Sequence, residues 1–324
     1  MRILVTGGAG MIGRKLIARL AADANLRGQP IEHVTSFDIV EGEAPTDAPF
    51  GFEARAGDLR DSETVKRLVD DEPDAIFHLA AVVSGEAEKD FDKGYGINLE
   101  GTRHLLESVR QKGSHPRFVF ASSIAVFGAP FPEAIGDEFF CTPLTSYGTQ
   151  KAIGELLISD YSRREILNGI SIRLPTICVR PGKPNAAASG FFSNIIREPL
   201  AGEEAVLPVS EDVRHWHASP RAAIGFLLHA ATIDLDTVGA RRALTMPGLS
   251  VTIGEQIAAL REVAGEKVVA RIRHEPDDFT QKIVAGWPRN FDASRAQSLG
   301  FSADSSFAEI IRNHIEDELG GEIA

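Results

Sequence analysis

The chain has 324 residues, 43% hydrophobic and 25% charged, a balance that supports a large buried core in one large or two smaller domains and requires no disordered segment. A formal net charge of −12 argues against nucleic acid and anionic membranes, whose binding relies on basic patches, and it repels anionic substrates unless Arg or Lys is gathered locally. Cys141 and Cys178 are too few for a disulfide framework and lack metal-ligand spacing, so they read as small buried fillers in a reducing compartment.

Arg2-Ile-Leu-Val-Thr6 reads as a short buried strand. Gly7-Gly-Ala-Gly10-Met-Ile-Gly13 follows at once, and then apolar residues at helical spacing, Ile12, Leu16, Ile17 and Leu20. In that strand, turn and helix, Gly7 permits the tight turn, Gly10 lets the backbone approach a pyrophosphate, and Gly13 lets the helix sit close on the strand. The helix N-terminus at Met11 and Ile12 then faces the phosphates. A second strand, His33 to Asp38, ends in a carboxylate 25 residues after Gly13, near the ~20 expected of the acid that holds the adenosine ribose. Asp38 is expected to accept hydrogen bonds from both ribose hydroxyls and to repel a 2′-phosphate, which selects NAD over NADP. The strand at the second residue leaves no room for a signal peptide, and no apolar run approaches a membrane span, so the expected location is cytoplasmic.

Further β-rich segments lie at Phe52 to Ala56, Ala75 to Leu79, Phe118 to Ser122 and Ile170 to Leu174, separated by helical patterns at Ser62 to Val69, Asn98 to Arg110 and Ser146 to Leu167. Such alternation predicts an α/β fold with a doubly wound parallel sheet and ligands at the carboxyl ends of its strands. Gly57-Asp58-Leu59 follows the third strand; Asp58 either contacts the adenine amino group or caps the helix starting near Ser62. His78-Leu79-Ala80-Ala81 closes the fourth strand against the cofactor, and the fifth ends in two hydroxyls, Ser122 and Ser123, either of which can hydrogen-bond a reacting oxygen.

Tyr147 and Lys151, four apart in Ser146-Tyr-Gly-Thr-Gln-Lys151, share one helix face. A free tyrosine titrates near ~10, and the charge of Lys151 is expected to favour its phenolate. Tyr147 then takes or returns the proton of an alcohol while a hydride moves between substrate carbon and nicotinamide.

After Pro175 the texture changes. Pro, Gly and Asn cluster in Arg180-Pro-Gly-Lys-Pro-Asn185, and short helices follow, including Ile253 to Val263 and Phe307 to Leu319. The expected division is a dinucleotide-binding domain over 1–178 and a smaller mixed α/β substrate lobe over 179–324, with 212–247 packing back on the first. His215 and His217 flank Trp216 and point to one side if they lie on a strand. No Cys, Asp or Glu nearby completes a ligand set, so they read as packed or hydrogen-bonding histidines and no metal is expected.

Together these residues resemble the extended short-chain dehydrogenases/reductases, a Rossmann-type group that includes nucleotide-sugar epimerases and dehydratases. Thr6-Gly-Gly-Ala-Gly-Met-Ile-Gly13, Ser122-Ser-Ile-Ala-Val-Phe-Gly128, Tyr147-x-x-x-Lys151 and Arg173-Leu-Pro175 fall where that family carries its motifs. The resemblance implies a catalytic set of Ser123, Tyr147 and Lys151, with Asn98 at the family's structural, cofactor-adjacent asparagine and Pro175 beside the cofactor. Phe127 stands where the family usually has Tyr. The runs Tyr147 to Leu157, Arg173 to Asn185, Ile196 to Glu204 and Leu244 to Ser250 resemble members that oxidise the C2 hydroxyl of a four-carbon sugar acid with NAD.

An acidic protein must meet such an acid with a bidentate cation. Arg180 and Arg214 are the leading candidates, then Lys183; Arg214 aligns with an arginine that contacts the diphosphate in nucleotide-sugar relatives. Ser84 is a further candidate for substrate hydroxyls. A nucleotide-sugar epimerase with tightly bound NAD is the chief alternative; Ile124 and Ala125, where a dehydratase needs carboxylates, argue against dehydration. A cofactor-binding sensor would need no Ser, Tyr and Lys together. The resemblance also implies a homodimer through the helices near Asn98 to Arg110 and Ser146 to Leu167.

Overall fold

The computed structural model describes residues 1–182 and 189–324. Its main element is a seven-stranded sheet, all pairings parallel, built from β1 (Arg2–Thr6), β2 (His33–Asp38), β3 (Gly51–Ala56), β4 (Ala75–His78), β5 (Arg117–Ser123), β6 (Asn168–Leu174) and β9 (Ala243–Thr245) in the order β9-β6-β5-β4-β1-β2-β3. The order reverses between β1 and β4, so a crevice opens at the carboxyl ends of those strands. Central strands are apolar on both faces because helices cover both: Ile3, Leu4 and Val5 are all buried.

On one face, helices Met11–Asp23 and Pro220–Thr232 bury Leu16, Leu20, Phe226 and Leu227 against Ile3, Val5 and Val119. On the other, Ser62–Leu68, Thr102–Lys112 and Ser146–Arg163 bury Val65, Leu105, Leu106 and Ile158 against Leu4, Ile76 and Phe118. A separate cluster, with Phe192, Ile196, Ile257, Leu260 and Ile311, joins helices Gly190–Leu200, Ile253–Ala264 and Phe307–Leu319. Beside it lies a small sheet, β10-β8-β7, of β7 (Thr176–Ile177), β8 (Arg214–Ala218) and β10 (Leu249–Thr252).

Several boundaries differ from the sequence reading. Tyr95–Gly101 forms a π-helical segment ahead of Thr102–Lys112, placing Asn98 in a widened turn. The helix carrying Tyr147 stops at Arg163, because Glu165 adopts a positive φ and Asn168 already belongs to β6. The seventh strand is only three residues long, too short to carry a period of its own, and tertiary pairing with Ser171 to Arg173 makes it a strand.

Candidate active site

A cleft of about 490 Å³ lies over the carboxyl ends of β1, β4 and β5. Gly7, Gly10, Met11, Ile12 and Gly13 line one end. Gly7 has φ +76°, and a Cβ there would stand 2.7 Å from the Ala80 amide nitrogen; at Gly13 it would stand 2.2 Å from the Gly7 carbonyl. Only a chain without these side chains folds so tightly at the head of a helix. Gly10 caps that helix with no side-chain hydrogen bond, so the leading amides are left for an anion.

Asp38 closes the far side of this loop: one carboxylate oxygen accepts from the Ala9 amide at 3.1 Å and the other from the Ile39 amide at 2.7 Å. A carboxylate has acceptor capacity beyond two bonds, so both oxygens remain able to take a hydroxyl. Leu79, Ala81 and Pro175 line the cleft, whereas Ala80 sits behind the glycine turn.

The capping reading of Asp58 needs revising. The helix is capped by Asp61, and Asp58 instead accepts from the Arg60 amide and guanidinium, a bond that holds its carboxyl below the usual range. Leu59 is buried in the core beneath the helices and does not line the cleft. Asn98 is buried too, and it bonds both backbone groups of Val82 and the Gln150 side chain; it acts as a strut beneath the cleft wall.

Toward the substrate end, Ser84, Ser123, Tyr147, Lys151 and Arg180 line the same cleft. The two serines are distinguished by their bonds. Ser122 donates its only proton to Glu155 at 2.5 Å and is buried, while Ser123 accepts from the Ala125 amide and keeps its proton for the cleft.

Tyr147 is pushed above its ordinary pKa by burial, against the opposing pull of the Ser123 hydroxyl and the Arg180 guanidinium. Lys151 stands beside it on the same helix face. Its ammonium donates to the Ala121 carbonyl at 2.7 Å and lies 5.7 Å from the centre of the Tyr147 ring, so helix spacing brings the two side chains together while the strand draws the charge toward itself. Burial pushes Lys151 down to about 8, with Glu155 acting against it.

Of the candidate cations, Arg180 alone faces this centre among the described residues. Its Nε donates to the Ile177 carbonyl and an Nη to the Ser189 hydroxyl, and no carboxylate pairs with it among the described residues. Arg214 points elsewhere: it donates to the Ser250 carbonyl and pairs with Glu255 at 3.3 Å, held away by its register in β8. Lys183 lies outside the described residues.

His215 and His217 are buried and packed around Phe192. Since the Pro288 carbonyl can only accept, His215 carries its proton on Nδ1 and takes the Thr176 hydroxyl on Nε2; burial pushes it down to about 4, so it is neutral. That bond ties Gly286-Trp287-Pro288 over the cleft mouth, a wall the sequence reading missed because it comes from an irregular segment more than a hundred residues after Tyr147. Cys178 is the buried filler expected, but Cys141 is exposed, on the irregular segment between Phe139 and Thr142.

The sequence pattern of the NAD dependent epimerase/dehydratase family matches residues 3–222. The chain belongs to that family. Within it, the chain is 48% identical over 322 residues to a D-erythronate dehydrogenase of Cupriavidus necator, covering 98% of each chain. It is 43% identical over 319 residues to a D-erythronate dehydrogenase of Haemophilus influenzae, covering 98% of this chain and all of that one. Among solved structures, it is similar to one described as the nucleoside-diphosphate-sugar epimerase from Agrobacterium tumefaciens, with 62% identity and a TM-score of 0.97 over 100% of this chain and 96% of that one. The family's cofactor fits the loop described above: the glycine turn, the uncapped helix start and Asp38 are what a dinucleotide requires. Among the described residues, no helix is long and apolar enough to cross a membrane.

Proposed function

We propose that this protein oxidises the C2 hydroxyl of a small sugar acid, D-erythronate, to the 2-oxo acid. The observation that carries this reading is Arg180, a cation without a carboxylate partner among the described residues, beside Tyr147 in a cleft that Trp287 and Pro288 help to line. Its fork suits the carboxylate of an acid held with its α-hydroxyl against Ser123 and Tyr147. Ser123 orients the hydroxyl, Tyr147 takes its proton, and Lys151 balances the phenolate charge. NAD, when bound, supplies the carbon that accepts the hydride. Gly7, Gly10, Met11, Ile12 and Gly13 hold its pyrophosphate, and Asp38 its ribose, where a 2′-phosphate would be repelled. Ser84, which lines the cleft, would meet a substrate hydroxyl.

The similarity to the Agrobacterium protein favours a second reading, nucleotide-sugar epimerisation with retained NAD. Against it stands Arg214, the cation aligned with diphosphate recognition, which is committed to Glu255 and Ser250 outside the cleft. Mixing the protein with NAD and D-erythronate separates the two. Accumulating NADH supports the dehydrogenase; turnover of a nucleotide sugar without net NADH supports the epimerase.

We also infer a cytoplasmic homodimer, with residues 1–178 and the returning 212–247 as the cofactor unit and 179–324 as the substrate lobe. Leu156, 71% exposed on the helix carrying Tyr147, supports an interface there, and Leu156→Glu is expected to yield monomers by light scattering.

A further inference from the structure

We propose that Glu155 is a positioning residue for Lys151, keeping its ammonium charged beside Tyr147, and that an alternating row of charges fixes Glu155 in place. The inference rests on reading Tyr147 and Lys151 as the proton-transfer pair.

Tyr147, Lys151 and Glu155 stand at successive steps of four along Ser146–Arg163, so all three share its sheet-facing side. Glu155 is only 4% exposed. Its Oε1 accepts from the Ser122 hydroxyl at 2.5 Å and from Arg173 Nε at 3.0 Å, and its Oε2 accepts from Arg173 Nη2 at 2.8 Å. Arg173 Nη1 lies 3.7 Å from Asp137, whose other oxygen is 3.3 Å from Arg295; Arg295 in turn donates to the Val238 and Arg241 carbonyls. Carboxylate and guanidinium therefore alternate from the helix to the carboxyl-terminal segment.

A buried carboxylate gripped this way has its lone pairs met and its charge paired with Arg173. Its effect falls on the next buried charge along the helix. Around Lys151 stand Tyr147 and Glu155 from its own helix, His78 from β4, the Ala121 carbonyl from β5 and, behind Glu155, Arg173 from β6. His78 is buried and neutral, pushed down to about 3 by burial. Among the described residues, Glu155 is thus the anion that acts on Lys151, and it opposes the loss of the proton that burial favours.

The test is the pH dependence of kcat, taken with the alcohol the wild type oxidises. The alkaline limb reports Lys151 losing its charge. Glu155→Gln keeps the shape but not the charge, and gives up one of the two bonds to Arg173 because its amide nitrogen cannot accept; it should move that limb down by about one pH unit, a roughly tenfold loss on the alkaline side, with NAD affinity unchanged. Glu155→Asp, which restores the charge, should move the limb back. In a Lys151→Arg background the Glu155→Gln shift should vanish, since guanidinium does not titrate there. If Glu155→Gln fails to fold, Asp137→Asn, one step along the row, should shift the limb the same way by less. A loss by the same factor at every pH with the limb unmoved, or an Asp variant as impaired as the Gln variant, overturns the proposal. A wild type that reduces no NAD with any sugar acid counts against the dehydrogenase reading instead; the profile is then taken with the nucleotide sugar it converts.

Discussion

Replacing Arg180 bears on substrate choice more directly than any other single change. Truncating one partner of a buried, hydrogen-bonded charge pair costs about 2–5 kcal/mol, or roughly 30- to 4000-fold at 1.4 kcal/mol per tenfold. Arg180 is only partly buried and its cleft opens to solvent, which places Arg180→Gln in the lower half of that range, about 30- to 300-fold in kcat/KM. Most of the loss should appear in KM, because the carboxylate is held equally before and during hydride transfer. A second signature comes from its neighbour. The guanidinium helps pull Tyr147 down, so its removal should raise the tyrosine further and move the acid limb of kcat to higher pH. Arg180→Lys keeps the charge without the fork and should lose only about tenfold while leaving that limb in place. Initial rates of NADH formation across sugar-acid concentration and pH read all three effects. Unchanged KM and an unmoved acid limb in Arg180→Gln would refute the assignment, and Arg214→Gln serves as the control expected to stay near wild type.

Tyr147→Phe should cut turnover by about 10²–10⁴ while NAD affinity stays within twofold, and equilibrium binding beside single-turnover rates will show whether the two separate. Gly7→Ala forces a Cβ to within 2.7 Å of the Ala80 amide at φ +76°; strain and overpacking together predict about 2–4 kcal/mol of lost stability by urea denaturation, with weakened NAD binding. His78 donates to Thr102, which donates to the Asn98 carbonyl, and accepts from Thr6, so it is held neutral with a folded pKa of about 3 against 6.5 in the unfolded chain. The unfolded state alone takes up that proton as pH falls below 6.5, so stability is full above that value and declines toward 3, by up to ~1.4 kcal/mol per pH unit from this residue. His78→Asn should flatten that decline in urea midpoints measured across the acid range; an unchanged slope would remove His78 from the account.

The cofactor half of the molecule was legible because its function is written in local chemistry. Glycines at fixed offsets, a strand ending in Asp38 and a helix carrying Tyr147 and Lys151 each require only a short stretch of chain to be recognised. Asp58 shows the limit of local reasoning: the helix cap fell to Asp61, three residues on, while Asp58 pairs with Arg60. Family resemblance pointed to Ser123, but the physical reason Ser122 is taken, its bond to Glu155 33 residues on, leaves no periodic mark in sequence. Trp287 and Pro288 reach the cleft beside the bond from His215, so this part of the cleft wall is decided by tertiary contact in a segment without helical or strand pattern. Lys151 followed helix geometry in position, but its charge went to the Ala121 carbonyl, a partner on another element.

The most direct test of the whole account is a crystal structure of the Tyr147→Phe protein with NAD and D-erythronate. The account predicts the acid's carboxylate on the Arg180 guanidinium, with its C2 hydroxyl at hydrogen-bond distance from Ser123 and turned toward the position of the lost phenol. A carboxylate bound to Arg214 or to solvent, or a C2 hydroxyl facing away from Ser123, would contradict it.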